Sequence, residues 1–151
     1  MCEPWRAVDR VAALAVLTEG ENLARQGTIT DAMAAYSNAQ ALDSTLTVSV
    51  WSAWLWNNLC WWGSLWGHAA DVMTACDRAV ALIPDDGGNR DSRGLARALT
   101  GDLDGAIVDF EAFVAWTPDD EDRAQRQGWI DTLRAGENPF TPEVLEALRK
   151  Q

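Results

Sequence analysis

The spacing between glycine and proline is the feature that most constrains the fold of this chain. The pair Gly67 and Pro84 recurs further along as Gly101 and Pro118, with the same interval inside both pairs. A repeat period of about 34 residues encodes one helical hairpin, whose apolar face cannot be buried unless it stacks on a neighbouring copy. The spacing therefore predicts stacked antiparallel helix pairs that share one continuous core.

Residues of similar size recur around three turn glycines, Gly27, Gly67 and Gly101. Each has a small residue seven places before it, an apolar residue five places after it, a ring or a cysteine nine places after it, and a proline or a serine seventeen places after it. In that order, the residues are Gly20, Cys60 and Gly94; Ala32, Val72 and Ala106; Tyr36, Cys76 and Phe110; and Ser44, Pro84 and Pro118. Small residues let the helices of a pair approach closely, while a ring fills the space beside them.

This pattern resembles the tetratricopeptide repeat. The order of residues typical of that family has counterparts in the middle and last copies, at Trp56, Leu59, Cys60 and Pro84, and at Gly94, Ala106, Phe110 and Pro118. The resemblance implies an all-α fold: a right-handed superhelical solenoid of three antiparallel helix pairs with a C-terminal capping helix.

The spacing also predicts where the helices lie within a single domain of residues 1–151. Repeats are expected at about 12–44, 52–85 and 86–118, with helices at 4–26, 30–42, 50–66, 69–82, 90–100 and 104–116. A capping helix is expected at 119–135 and a short C-terminal helix at 142–150, opened by Thr141 and Pro142. The interval from Gly27 to Gly67 is longer than that from Gly67 to Gly101, so the pattern departs from its period at the first junction.

Arg93 and Asp109 stand beside Gly94 and Phe110. This arrangement occurs in a common variety of the family, and it implies an ion pair between the two helices of the third repeat. Two separately solvated charges are the alternative. If the pair is buried, the loss of one partner leaves an uncompensated charge, so we expect a structural role.

The third helix is unusually rich in tryptophan, with six of the nine tryptophans between residues 51 and 66. In the family, the first helix of each pair lines a concave groove, and the resemblance implies partner-binding positions at Trp54, Asn57, Trp61, Ser64 and Leu65. Rings beside amides suit an extended peptide, since rings provide contact area and amides bond to its backbone. The alternative is that the rings are core for a solenoid whose other helices are rich in alanine.

The family's clamp for acidic chaperone tails requires Lys, Asn and Arg at particular groove positions. Here only Asn58 resembles a clamp residue, and the other positions carry Leu17, Glu21, Gly88 and Ser92. The resemblance therefore favours an apolar, aromatic or basic peptide over a tail of that kind.

The charge of the chain argues against a nucleic-acid partner. There are 23 acidic and 12 basic residues, giving a net charge of −11, whereas binding to phosphates depends largely on Lys and Arg. The most apolar run, residues 50–66, is about 17 residues long and contains two adjacent amides, which predicts a buried helix and no membrane span. A protein or peptide partner is the remaining expectation.

Catalytic and ligand-binding motifs are not found. His68 is the only histidine, and it has no nucleophile motif near it. The acidic clusters lack the ligand spacing of a calcium loop, and no glycine-rich loop carries a lysine. We expect no enzyme activity, no cofactor and no metal.

The cysteines and the N-terminus favour a cytoplasmic location. The three cysteines Cys2, Cys60 and Cys76 are an odd number, without the density of a secreted disulfide scaffold. The first ten residues lack the features of a signal peptide.

A non-catalytic interaction scaffold is therefore the predicted function. Two alternatives stay open: a homodimer joined by exposed tryptophans, and a small-molecule or glycan binder that stacks a ring on Trp54 or Trp61. Residues 58–70 also resemble repeat segments of large bacterial signalling proteins, so the chain is interpreted as a fragment with a sensing or scaffolding task.

Overall fold

The computed structural model describes residues 4–151, and it describes side chains from Asp9 onward. Cys2 and most of the N-terminal segment considered above lie outside these residues. The helices are α1 (Pro4–Arg25), α2 (Ile29–Leu42), α3 (Ala53–Leu65), α4 (Ala69–Leu82), α5 (Gly87–Leu99), α6 (Leu103–Trp116), α7 (Asp120–Arg134) and α8 (Pro142–Arg149). The first six form three antiparallel pairs, and α3 also packs against both α1 and α5. The first helices of the pairs thus form one row, which we call the inner row.

The turn within each pair is built in the same way. Gly27, Gly67 and Gly101 adopt φ values of 88°, 86° and 90°, a left-handed conformation that glycine accepts without strain. The amide that follows each glycine donates to a carbonyl five residues back, so that the carbonyls at the end of the first helix are satisfied. Three equal turns give three hairpins of equal shape.

Each hairpin is closed by one contact where its two helices cross. The ring of Tyr36 lies 3.1 Å from the position of a Cβ atom on Gly20, and the ring of Phe110 lies 3.0 Å from that position on Gly94. In the middle pair the equivalent residues are Cys60 and Cys76, which form a disulfide between α3 and α4 with Cα atoms 4.9 Å apart. The number and density of the cysteines did not indicate this bond, which forms because the crossing brings these two side chains together.

The longer first junction forms a short turn that enters the core. Two 3₁₀ segments, Ser44–Thr47 and Val50–Ser52, precede α3, which begins at Ala53 and not at the predicted residue 50. Leu46 is buried, and its carbonyl accepts hydrogen bonds from Ser52 Oγ at 2.6 Å and Trp56 Nε1 at 2.9 Å. The extra residues of this first interval thus anchor the start of α3.

The core consists of two apolar clusters. One surrounds Tyr36, whose hydroxyl donates to the Leu55 carbonyl at 2.8 Å. Burial, together with the Glu21 carboxylate, raises the pKa of that hydroxyl. The other surrounds Phe110 and joins α5 and α6 to α7. None of the helices in the described part of the chain combines the length and the apolar character needed to cross a bilayer.

Two buried carboxylates link α5 to its neighbouring helices. Asp109 is fully buried and accepts from Arg93 at 2.8 and 2.9 Å and from Arg97 at 3.0 Å. The ion pair suggested by the sequence is therefore present, as part of a larger group of charges. Asp91 on α5 accepts two bonds from Arg126 on α7, at 3.0 and 2.7 Å. Burial raises the pKa of the Asp91 carboxyl, and the bonds from Arg126 oppose that shift.

We expect one alkylated cysteine per chain when the protein is purified without reductant, denatured and treated with iodoacetamide, and three after reduction. The disulfide uses two of the three cysteines. Reduction should lower the free energy of unfolding by about 3 kcal/mol, because the link closes a short loop in the unfolded chain. A double variant, Cys60→Ala with Cys76→Ala, is the control, since its stability should not respond to reductant. Three alkylated cysteines without reduction would contradict the link.

Replacing Asp109 with Ala should lower the free energy of unfolding by about 3 to 5 kcal/mol, since several arginines lose the carboxylate that neutralises them. Asp77→Ala is the matched control, because Asp77 is exposed and lies 3.6 Å from Arg93. Its effect should stay below about 1 kcal/mol. Denaturant titrations measure both values, and equal effects of the two substitutions would contradict a structural role for the buried pair.

Candidate functional site

The tryptophans at the α3 helix differ in their exposure to solvent. Trp56 is buried, whereas Trp54 is 53% exposed. Trp51, Trp61 and Trp62 are half-buried. Trp54 is therefore the most exposed ring of α3, although the sequence alone does not separate it from its neighbours.

Polar groups next to Trp54 connect α1 and α3. Asn58 Nδ2 donates to Glu21 Oε1 at 3.2 Å, and the same oxygen accepts from Arg25 Nη2 at 2.8 Å. Asn57 Oδ1 is buried and has no hydrogen-bond partner among the described residues. Two amides thus lie within about one turn of the exposed ring on α3, and the Glu21 carboxylate of α1 is bonded to one of them.

Two apolar residues of α1 extend this surface. Leu14 and Val11 lie about two and three turns before Glu21 on the same face of the helix, and both are exposed. We call the surface formed by Val11, Leu14, Glu21, Trp54, Asn57 and Asn58 the open groove. It combines apolar side chains with amides and a carboxylate, which are groups that recognise a peptide.

Two predicted groove residues are not accessible. Ser64 is 0% exposed and Leu65 is 1% exposed, so neither can contact a partner in this conformation. The prediction for these two positions is therefore corrected. At Leu65 the reason is that α8 packs against α3 and shares an apolar cluster with this side chain. Trp61 packs against the same apolar cluster as Leu65, which leaves it half-buried.

The arginine at the end of α8 makes the most specific of these contacts. Arg149 Nη1 donates to the Leu65 carbonyl at 2.7 Å. Its guanidinium carbon also lies 4.5 Å from the centre of the Trp66 ring, within the range of a cation–π contact. One side chain thus joins α8 to both the backbone and the ring at the end of α3.

The chain reaches this position by reversing after α7. Gly136 adopts φ 81°, and Asn138 Nδ2 donates to the Ala98 carbonyl of α5 at 2.9 Å. Phe140 then packs edge-on against Trp129, with ring centres 4.8 Å apart. The Thr141 hydroxyl caps the first turn of α8. These cap and apolar signals predicted a helix here, but they carry no information about where it docks.

The remaining polar candidates, His68 and the acidic clusters, form contacts in turns and at helix starts. His68 Nδ1 lies 3.0 Å from Asp71 Oδ2 in the turn before α4. Asp86, Asp102 and Asp119 each accept a bond from a backbone amide at a helix start. Among the described residues, no group of three His, Cys, Asp or Glu side chains is placed to hold a metal ion.

Comparison with solved structures identifies the architecture. The first TPR domain of the human RPAP3 protein superposes with a TM-score of 0.66 at 22% identity, over 82% of this chain and 93% of that one. The chain has a tetratricopeptide-repeat fold. The first TPR of Spaghetti (RPAP3), bound to the HSP90 peptide SRMEEVD, gives a TM-score of 0.67 at 20% identity, over 84% of this chain and 94% of that one. At these identities the likeness concerns the fold alone. No protein-family model and no curated protein matches the sequence.

Leu65→Ala should behave as a core substitution. We expect it to lower the free energy of unfolding by about 2 to 5 kcal/mol, because the change leaves a cavity beneath α8. Trp54→Ala, on the exposed part of the same helix, should change it by less than about 1 kcal/mol. Denaturant titrations of both variants test this contrast. A Leu65→Ala variant as stable as the wild type would show that α8 does not cover this residue in solution.

Proposed function

We propose that this chain is a non-catalytic scaffold that binds a peptide segment of a partner protein along the inner row. Trp54, Asn57 and Trp61 are the contact residues of this proposal. The observation that carries it is the exposure of Trp54 beside polar groups, on a helix whose other rings are buried or half-buried. Large rings that become covered on binding supply much of the energy of protein interfaces.

The charges near the open groove favour a basic or apolar peptide. Glu21 is the acidic side chain beside the amides, and its carboxylate is shared with Arg25 and Asn58. The net charge of −11 adds a long-range attraction for basic segments. In the Spaghetti structure the bound peptide is the acidic SRMEEVD. We infer a different preference here, because the clamp positions other than Asn58 carry no basic residue and Glu21, at one of them, repels an acidic tail.

Self-association is the second candidate function. Val48 and Val50 lie just before α3 and are exposed, like Trp54, so this apolar surface also suits a second copy of the chain. Light scattering after size-exclusion chromatography distinguishes the two functions. A dimer that becomes a monomer in the Trp54→Ala variant supports self-association, and a monomer at high micromolar concentration excludes it.

The cellular setting of the scaffold has two opposing indications. The number and spacing of the cysteines favour the cytoplasm, whereas the Cys60–Cys76 bond favours a compartment in which disulfides persist. The cysteine alkylation described above, applied to protein trapped in its native cells, decides between them. The pattern of residues 58–70 leads us to propose that the scaffold serves in a larger bacterial signalling protein.

Substitution of Trp54 tests the proposed function. Peptides selected from a random display library against the wild-type chain should bind Trp54→Ala at least ten times more weakly, because the variant loses the exposed ring. Trp116→Ala is the matched control, since that ring is 50% exposed on α6, outside the inner row. Its affinity should stay within about twofold of the wild type. Calorimetric titration measures the affinities, and circular dichroism verifies folding. Equal effects of the two substitutions, or no selected peptide, would overturn the proposal.

A further inference from the structure

The C-terminal helix occupies part of the face on which we propose that partners bind. We call the surface under α8 the covered groove: Trp61 and Leu65 of α3 and Leu95 and Ala98 of α5 share one apolar cluster with Val144, Leu145 and Leu148 of α8. Leu65, Leu95 and Ala98 are buried and Trp61 is half-buried. The open groove begins on the same helix, at Trp54. The inner row is thus divided into an open part and a part filled by the chain itself.

We propose that α8 is a displaceable occupant of the covered groove, and that an amphipathic helix of a partner protein with the side-chain pattern of α8 takes its place. This inference rests on the proposed function, because it assigns the partner's structure to the same inner row. A helix that lays its apolar face in a groove is a common mode of peptide recognition.

The way α8 is held allows it to leave without unfolding the solenoid. It has eight residues, and a helix this short is not stable in water by itself. Leu148 is its one fully buried side chain, while Val144 and Leu145 are half-buried. Phe140, in contrast, belongs to the aromatic group of Phe110 and Trp129, so the chain stays anchored before α8 begins. The release point lies between Phe140 and Pro142.

The covered groove requires an occupant of matching chemistry. Without α8, the apolar side chain of Leu65 and its carbonyl oxygen lose their cover and their donor. Exposing such a surface is unfavourable, so the open form is sparsely populated until another helix replaces the contacts of α8. The occupant must therefore offer both an apolar stripe and a donor at its C-terminal end.

The contacts of α8 define the pattern that a partner helix needs. Its apolar residues stand at Val144, Leu145 and Leu148, and Arg149 follows directly. Arginine fits this place because its planar group donates to the Leu65 carbonyl while it faces the Trp66 ring. A lysine has no planar group, so it cannot stack on the Trp66 ring and donate to the Leu65 carbonyl in the same way. The pattern is thus two adjacent apolar residues, a third one turn later, and an arginine immediately after it.

Hydrogen exchange of the full-length wild-type chain provides the first test. If α8 leaves its groove while the solenoid stays folded, the amides of residues 145–149 exchange at least tenfold faster than those of α7. Exchange of α8 as slow as that of α7 would mean that it opens only with global unfolding, and that result would overturn the proposal.

A peptide with the α8 sequence, acetyl-TPEVLEALRKQ-amide carrying a fluorescent label, provides the second test. The apparent affinity of the peptide is proportional to the fraction of protein in which α8 is open. Loosening the resident helix must therefore strengthen binding of the peptide. We expect the full-length Leu148→Ala and Arg149→Ala chains to bind the peptide at least tenfold more tightly than the wild type. Arg149→Ala is retained as a second variant because it removes no core side chain.

Matched peptides and chains make the outcome specific. A peptide in which the arginine is replaced by lysine should bind the opened chains at least fivefold more weakly than the original. Opened chains that remain folded but bind no better than the wild type would overturn the proposal. Dimers that exchange α8 between two copies would also overturn it, because the occupant would then be a second chain.

Trp54→Ala separates this inference from the function proposed above. If the library peptides bind only at the open groove, that substitution weakens them and leaves the α8 peptide unaffected. Failure of the α8 peptide alone therefore rejects the displaceable helix, whereas failure of the library peptides alone rejects the open groove.

Discussion

The crossing contact inside each helix pair is the interaction on which the rest of the structure depends. Two pairs use a ring against a glycine, and the middle pair uses a disulfide at the same two places. Both solutions bring the helices close at one point and thereby fix their rotation about their own axes. That rotation directs one side of α3 toward α4 and another toward solvent. Cys60 faces α4 through its bond to Cys76, whereas Trp54 lies on an exposed side of the same helix.

Periodicity predicted the helices well where local rules govern them. The predicted range 69–82 is that of α4, and the ends of the other repeat helices fall within a few residues of their predicted positions. The predicted start of α3 was wrong because the carbonyl of Leu46 accepts hydrogen bonds from Ser52 and Trp56. The repeat period carries no information about these bonds. Burial of Ser64 and Leu65 escaped prediction for a related reason. The helix that packs on Leu65 is α8, at the far end of the sequence, and its docking is a tertiary contact.

Several arginines of this acidic chain neutralise carboxylates that are buried between helices. Arg93 and Arg97 donate hydrogen bonds to Asp109, and Arg126 donates to Asp91. Several of the positive charges therefore lie between helices, paired with buried carboxylates. Buried ion pairs of this kind favour one arrangement of the helices over others when every partner is satisfied. The charge presented to solvent is correspondingly acidic.

The anchoring of Phe140 sets a competition that dilution cannot weaken. If α8 is released, it remains joined to the core a few residues away, and a short tether holds its local concentration in the range of millimolar. A helix from a partner competes against that concentration whether the protein is abundant or scarce. Binding then depends on the amount of partner and not on the amount of scaffold. The chain reversal at Gly136 keeps α8 close to its groove and thereby sets the concentration of partner that is needed to displace it.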